Sequence, residues 1–458
     1  MISELLFAPV LSQGNGSATE AVIEAVLERL NRTDGAVCHE ETIGDYATFV
    51  NLQANLTSNL NAPGCTYIMI DTNYYLAPVV ADYFVGTPTG RSRRQAFFST
   101  KAQLDFGNKG MTYSELFLTN AERVMNSAAA FAQKGGQTQK NLIHLLPDQI
   151  VGEWRDSTYG IGGGRIPYDV NTALVPAALR AIERLAAAGF FPSHPEWNTT
   201  AGQYATVWED ETLKFFEVTV PVAEARALVT NYTSEVGMGF PSHADNITSD
   251  VVYHGLALDG NNNQSLVKVM NSDDCFRLYL LNTTNQQQLT SFVNQTANNI
   301  LAPYPVGLTN SLGMLVANPA YGGAPVYAAN WTTEAYHGTV IWGWPMAMMA
   351  VGLQRQLGRC SEASAPDFCS DSVVHPNVLA AYNHLWDLIE ANSAYLSYEL
   401  WSWQYNKGGF QFAQYGMLFC CEQGGQRTDI SQVRTLRARP TSFNSGHSHS
   451  LPSTEIQV

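Results

Sequence analysis

The chain has 458 residues, 45% of them hydrophobic and 11% aromatic, which is enough apolar material for a sizeable buried core. Only 14% are charged, against about a quarter in an average globular domain, and the formal net charge is −15. That balance argues against a nucleic-acid or anionic-membrane partner, because no basic stripe is available to neutralise phosphates. The one basic cluster, "GRSRRQ" from Gly90, reads as a solvated loop.

In chain order the first signal is Ser17-Ala-Thr-Glu20, a capping-box pattern. Val22, Ile23, Val26, Leu27 and Leu30 follow at helical spacing and stop near Asp34-Gly35. Thr112-Tyr-Ser-Glu115 repeats the device ahead of Leu116, Phe117, Val124 and Met125, and Gly135-Gly136 ends that helix. Leu174, Ala178, Ile182 and Leu185 form an apolar stripe, with Pro176 near the first turn, where it costs least.

From about Pro195 to Asn285 the pattern changes. Phe216, Val218, Val220 and Val222 alternate with polar residues, and "SLVKVM" and "CFRLYLL" also read as strands. "VIWGWPMAMMAVGL" from Val340 is too short for the roughly eighteen apolar residues of a membrane span and reads as a buried helix. Pro376 opens a further helix carrying Leu379, Trp386 and Ile389, and beyond about Met417 the composition reads as an irregular tail.

Ten N-x-Ser/Thr sequons, at Asn15, Asn31, Asn55, Asn198, Asn231, Asn246, Asn263, Asn282, Asn294 and Asn330, are about twice the chance number and predict a secreted glycoprotein. The start lacks the basic and apolar regions of a secretory signal, so an incomplete N-terminus is expected. Of seven cysteines, Cys38 with Cys65 and Cys360 with Cys369 are candidate disulfides; Cys275, Cys420 and Cys421 leave an odd count. No ligand spacing points to a metal, no cofactor is called for, and "HSHS" at His447 and His449 belongs to the polar tail.

Five loops mix aromatics or histidine with carboxylates. They hold His39, Glu40 and Glu41; Asp71; Trp154, Arg155 and Asp156; Tyr336, His337, Trp342 and Trp344; and Glu399, Trp401 and Trp403. Sugar recognition needs this mixture, because rings pack on the apolar faces of pyranoses while carboxylates and Arg bond to hydroxyls. Two carboxylates flanking a glycosidic bond then supply acid and base.

On Trp154-Arg155-Asp156, the run Tyr336-His337-Gly338-Thr339-Val340 to Trp342, and Glu399 in a late aromatic loop, residues 18 to 416 resemble the six-hairpin (α/α)6-barrel glycosidases. The likeness is to the amylo-α-1,6-glucosidase part of glycogen debranching enzymes and, more distantly, to glucoamylases and trehalases. The resemblance implies a mainly α helical toroid with its first hairpin and closing helix incomplete, its motif loops gathered at one end. Residues 1–194 and 286–416 are the two parts of the catalytic domain, 195–285 a strand-containing insertion and 417–458 the tail. It also implies an inverting hydrolase of a neutral α-glucoside in an oligo- or polysaccharide. Asp156 is the candidate acid and Glu399 the candidate base, with Glu40, Glu41 and Glu334 as competitors. His39, Glu40, Asp71, Trp154, Arg155, Tyr336, His337, Trp342 and Trp401 are the candidate sugar-binding residues. A cation beside Asp156 depresses its pKa, so Arg155 is expected to point away from it, toward sugar or another carboxylate. The glycines of "GIGGG" are expected to let the backbone pass beneath substrate. A polysaccharide lyase or sugar epimerase on a helical barrel and a non-catalytic carbohydrate-binding protein are the alternative readings.

Overall fold

The structure, a computed structural model, describes residues 17–416 apart from Thr57 and Asp105. The expected tail, with Cys420, Cys421, His447 and His449, and the sequon at Asn15 lie outside the described residues. Helices dominate: α1 Ser17–Glu28, α2 Gly44–Gln53, α3 Thr72–Phe84, α4 Pro88–Phe98, α5 Tyr113–Ala132, α6 Val175–Ala187, α7 Trp197–Glu211, α8 Val222–Val236, α9 Asp274–Leu280, α10 Gln286–Leu301, α11 Pro325–Asn330, α12 Gly343–Gly358 and α13 Val374–Ala391. Strands are short, the longest being Leu400–Asn406.

The helices fall into two rows. α3, α6, α9 and α12 are buried on most of their faces. α3 packs on α6, the turn before α6 packs on α9, and α9 packs on α12. The outer row is amphipathic: α7 covers α6, α13 covers α12 and also meets α10, and α5 lies against α3 and α7. The chain is therefore mainly α, with inner and outer helices alternating.

Local signals explain several boundaries. Thr112 accepts from the Glu115 amide at 3.2 Å, and Glu115 accepts from the Thr112 amide at 2.7 Å, completing the capping box of α5. The stripe expected on α6 is buried throughout, and a π-turn at Val170–Leu174 widens the helix just before Pro176, whose missing N–H it accommodates. At α1 Glu20 accepts from Arg93 at 2.5 and 2.6 Å and from the Tyr83 hydroxyl at 2.9 Å, while the Ser17 side chain lies outside the described residues.

Between residues 195 and 285 the strand Glu217–Val220 alternates exposed and buried as expected and pairs with Val251–His254. "CFRLYLL", read as a strand, is instead α9: it is buried on all sides and so carries no alternation to reveal its period. On α13 the buried face is Val374, Val378, Ala381, Leu385 and Leu388, while Leu379 is exposed. Both candidate disulfides form, Cys38–Cys65 and Cys360–Cys369, with Cα atoms 5.5 and 5.4 Å apart; Cys275 is a buried free thiol. No helix among the described residues is long and apolar enough to cross a membrane.

Candidate functional site

Every inner helix begins beside a motif residue or a buried aspartate. Asp71 caps α3, Asp169 stands at the entry to the π-turn and α6, Asp273 stands at the entry to α9, and Trp342 precedes α12. These starts lie together, since Asp169 feels the charges of both Asp273 and Asp71. Arg155 pairs with Asp273, and the Trp154 ring lies edge-on to Trp342 at 5.9 Å and to Trp344 at 4.8 Å.

Asp156 is the exposed member of its tripeptide, its side chain 40% accessible. His337 Nε2 lies 4.0 Å from Asp156 Oδ1, and its Nδ1 is 2.8 Å from the Ser157 hydroxyl. The imidazole is held flat on Trp342, with rings 5.3 Å apart and 11° from parallel, and meets the Trp154 face edge-on. Ser157, His337 and Asp156 thus stand in the order of a nucleophile, a base and an orienting carboxylate. At 4.0 Å, however, Asp156 does not hydrogen-bond the imidazole, which the orienting role requires.

One residue earlier on the same loop, the Tyr336 hydroxyl donates to Glu399 Oε1 at 2.7 Å. Trp342 Nε1 donates to the Tyr336 carbonyl at 3.0 Å, tying the ring wall to the loop. Adjacent residues therefore reach toward one candidate carboxylate each, His337 toward Asp156 and Tyr336 toward Glu399. His39 is half-buried near Asp156; burial lowers its pKa, opposed by the charges of Asp156 and Glu40, so the imidazole is neutral at pH 7. Glu40 is exposed beside it.

Four residues expected to bind sugar, Asp71, Arg155, His337 and Trp401, are at most 1% exposed. Trp401 is wholly buried, with its indole N–H donated to the Leu312 carbonyl and its backbone paired with Ile341, so it is a core residue. Arg155 is also buried. As expected from its neighbour, it points away from Asp156, to another carboxylate: Nε and Nη2 donate to Asp273 at 3.0 and 2.6 Å, and Nη2 also donates to the Val316 carbonyl at 2.8 Å. Its guanidinium lies 4.2 Å over the Trp154 ring. The glycine loop serves packing instead of substrate clearance. Gly162 and Gly163 have φ of +64° and +68°, and a Cβ there would meet Val267, Trp331 or Asn261 within 3 Å. That close approach lets Ile166 and Pro167 pair with Leu258 and Ala257.

Beside Asp71 lie two buried carboxyls that sequence reasoning did not single out, Glu153 and Asp169. Glu153 is 1% exposed, with no side-chain hydrogen-bond partner for its oxygens among the described residues. Burial, then the nearby Asp169, push its pKa well up, and burial and Asp273 do the same for Asp169. Asp71 accepts from the Thr72 amide at 2.7 Å through one oxygen and leaves the other unbonded. Burial is the main cause that raises the Asp71 carboxyl to about 7, with the Asp156 charge adding to it.

The gap between that value and the roughly 3.9 of an unfolded aspartate corresponds to on the order of 4 kcal/mol. Because the folded state holds the proton more tightly, this stability is fully present below about pH 4 and is lost as pH rises through about 7. Urea titrations at about pH 5 and about pH 8 should show the decline, and Asp71→Asn, which cannot ionise, should flatten it. An undiminished slope in Asp71→Asn would show that Asp71 is not the group responsible. No family model matches the chain, and no curated protein matches it.

Proposed function

We propose that the protein is an inverting glycoside hydrolase acting on a neutral, α-linked glucoside, with Asp156 as general acid and Glu399 as general base. The Tyr336–His337 dipeptide carries the reading, because it brings a hydroxyl onto Glu399 and an imidazole toward Asp156 from adjacent positions. Asp156 delivers its proton to the glycosidic oxygen as the bond to the anomeric carbon breaks. A water on the opposite face of the sugar, polarised by Glu399, attacks that carbon and gives its proton to the carboxylate.

Inversion needs room for the water, so a single displacement requires the two carboxyl groups to lie roughly 6.5–9.5 Å apart when sugar is bound. Tyr336, Trp342 and Trp154 form the aromatic wall, and His39 and Glu40 bond to hydroxyls. The alternation of inner and outer helices supports a six-hairpin toroid. The two disulfides and the sequons support an extracellular setting.

The anomeric proton signal of sugar released from aryl α-glucosides and α-linked disaccharides tests the reading. The first-formed product should be the β-anomer, mutarotating afterwards. Release of the α-anomer would sink the single displacement, and an unsaturated uronate product would transfer the site to the lyase class.

A further inference from the structure

Away from Asp156, a groove of about 570 Å³ runs between α10 and the strands Glu217–Val220 and Val251–His254. Its volume falls in the range of small-molecule sites, about 300–1,000 Å³, yet it has almost no apolar lining on the helix side. Ser291, Asn294, Gln295 and Asn298 recur at helical spacing along that wall, while Leu289, Phe292, Val293 and Ile300 fill the opposite, buried face of α10. Glu217 and Thr248 stand among the residues on the other side. Amides, hydroxyls and the carboxylates of Glu217 and Asp250, with no Lys or Arg among the lining residues, make a surface suited to sugar hydroxyls and unsuited to an anion.

The edge of this groove is itself a sequon. Asn246 and Thr248 are exposed, and Ile247 between them is 3% accessible, so the buried side chain pins the tripeptide with its acceptor outward. The Arg226 guanidinium donates to the Ile247 carbonyl at 2.9 Å and fixes the same turn. A second sequon, Asn294-Gln-Thr296, lines the groove from within α10. There Asn294 Oδ1 accepts from Asn377 Nδ2 at 2.9 Å, and the Thr296 hydroxyl donates to the buried Asp274 at 2.7 Å. The two sequons differ in structure, one open and pinned, the other woven into helix packing.

We propose that Asn246 carries an N-linked glycan whose first sugars lie in this groove against the polar face of α10, and that Asn294 is left unmodified. The Asn246 amide nitrogen attacks the anomeric carbon of an oligosaccharide donated from a lipid diphosphate. The new bond joins nitrogen to that carbon, the carbon–oxygen bond to phosphate breaks, the lipid diphosphate leaves with the bonding electrons, and the amide proton passes to a base. No redox partner is needed. The groove then supplies hydrogen-bond partners to the attached sugars from Ser291, Asn298 and Glu217.

The test uses the full chain secreted from a eukaryotic host, with Asn263, exposed at a hairpin turn, as the comparison sequon. The native protein is treated with an amide-cleaving glycosidase in heavy-oxygen water, then denatured and treated again. Peptide mass spectrometry reports which asparagines become labelled aspartate at each step. Asn246 should be released only after denaturation and Asn263 already from the native protein, with Asn294 never labelled. Ser291→Tyr, which fills the groove, should make the Asn246 glycan releasable from the native protein. An Asn246 without glycan, a glycan at Asn294, or equal native release from Asn246 and Asn263 would each overturn the proposal.

Discussion

Asp156→Asn and Glu399→Gln should each lower turnover by about 10²–10⁴-fold, the usual loss for removing a general acid or base, with little change in folding stability. The stability expectation follows from position. Asp156 is 40% accessible and Glu399 is exposed, so neither substitution opens a cavity or strands a buried charge. The two losses should differ in kind. Asparagine cannot protonate the departing oxygen, so substrates whose leaving group needs little protonation should recover much of the rate in Asp156→Asn. Glu399→Gln should gain nothing from such substrates, because water activation is still missing. Tyr336→Phe removes the hydroxyl that holds Glu399 at 2.7 Å and should lower turnover by about tenfold, the worth of one hydrogen bond to a charged group. Initial rates on a nitrophenyl glucoside and on a disaccharide separate these cases. Normal turnover in Glu399→Gln would move the base to Glu40 or Glu334.

What was legible in the sequence depends on the range of the interaction that decides each feature. The capping box at Thr112 and the stripe from Leu174 to Leu185 are decided within a few residues, and both stand in the structure where the spacing puts them. The segment Cys275–Leu281 was misread because a helix buried on all sides has no polar face, and its short apolar run matches a strand equally well. The loop partners lie farther apart still. Arg155 meets Asp273 across 118 positions, and Tyr336 meets Glu399 across 63. No local pattern encodes such pairs. The motif at Tyr336–Trp342 pointed to a candidate site; it did not show that its Tyr and His each face a different carboxylate. Glu153 was invisible for another reason: a carboxylate in a polar loop reads as solvated, and only the fold reveals it 1% exposed.

Arg155→Met should destabilise the protein by about 3–5 kcal/mol, the cost of breaking a buried ion pair from one side. The guanidinium is the cation that faces Asp273, Glu153 and Asp169 together, with its side chain fully buried and that of Asp273 2% accessible. Methionine restores most of the volume and keeps contact with the Trp154 ring, so packing loss is minor and the stranded Asp273 charge dominates. The penalty should therefore depend on the partner. In Arg155→Met/Asp273→Asn the uncompensated charge is gone, and the double variant should be more stable than Arg155→Met alone, a coupling visible in a urea double-mutant cycle. Arg155 also accepts the Trp154 face at 4.2 Å and anchors the loop to the Val316 carbonyl, while Asp156 follows it directly in the chain. Loss of the anchor should thus lower turnover in Arg155→Met even at temperatures where it remains folded, because an acid displaced by about 1 Å loses on the order of 10²-fold in rate. A cost within about 0.5 kcal/mol, as for a surface substitution, or strictly additive single effects, would show that the pair does not hold the loop.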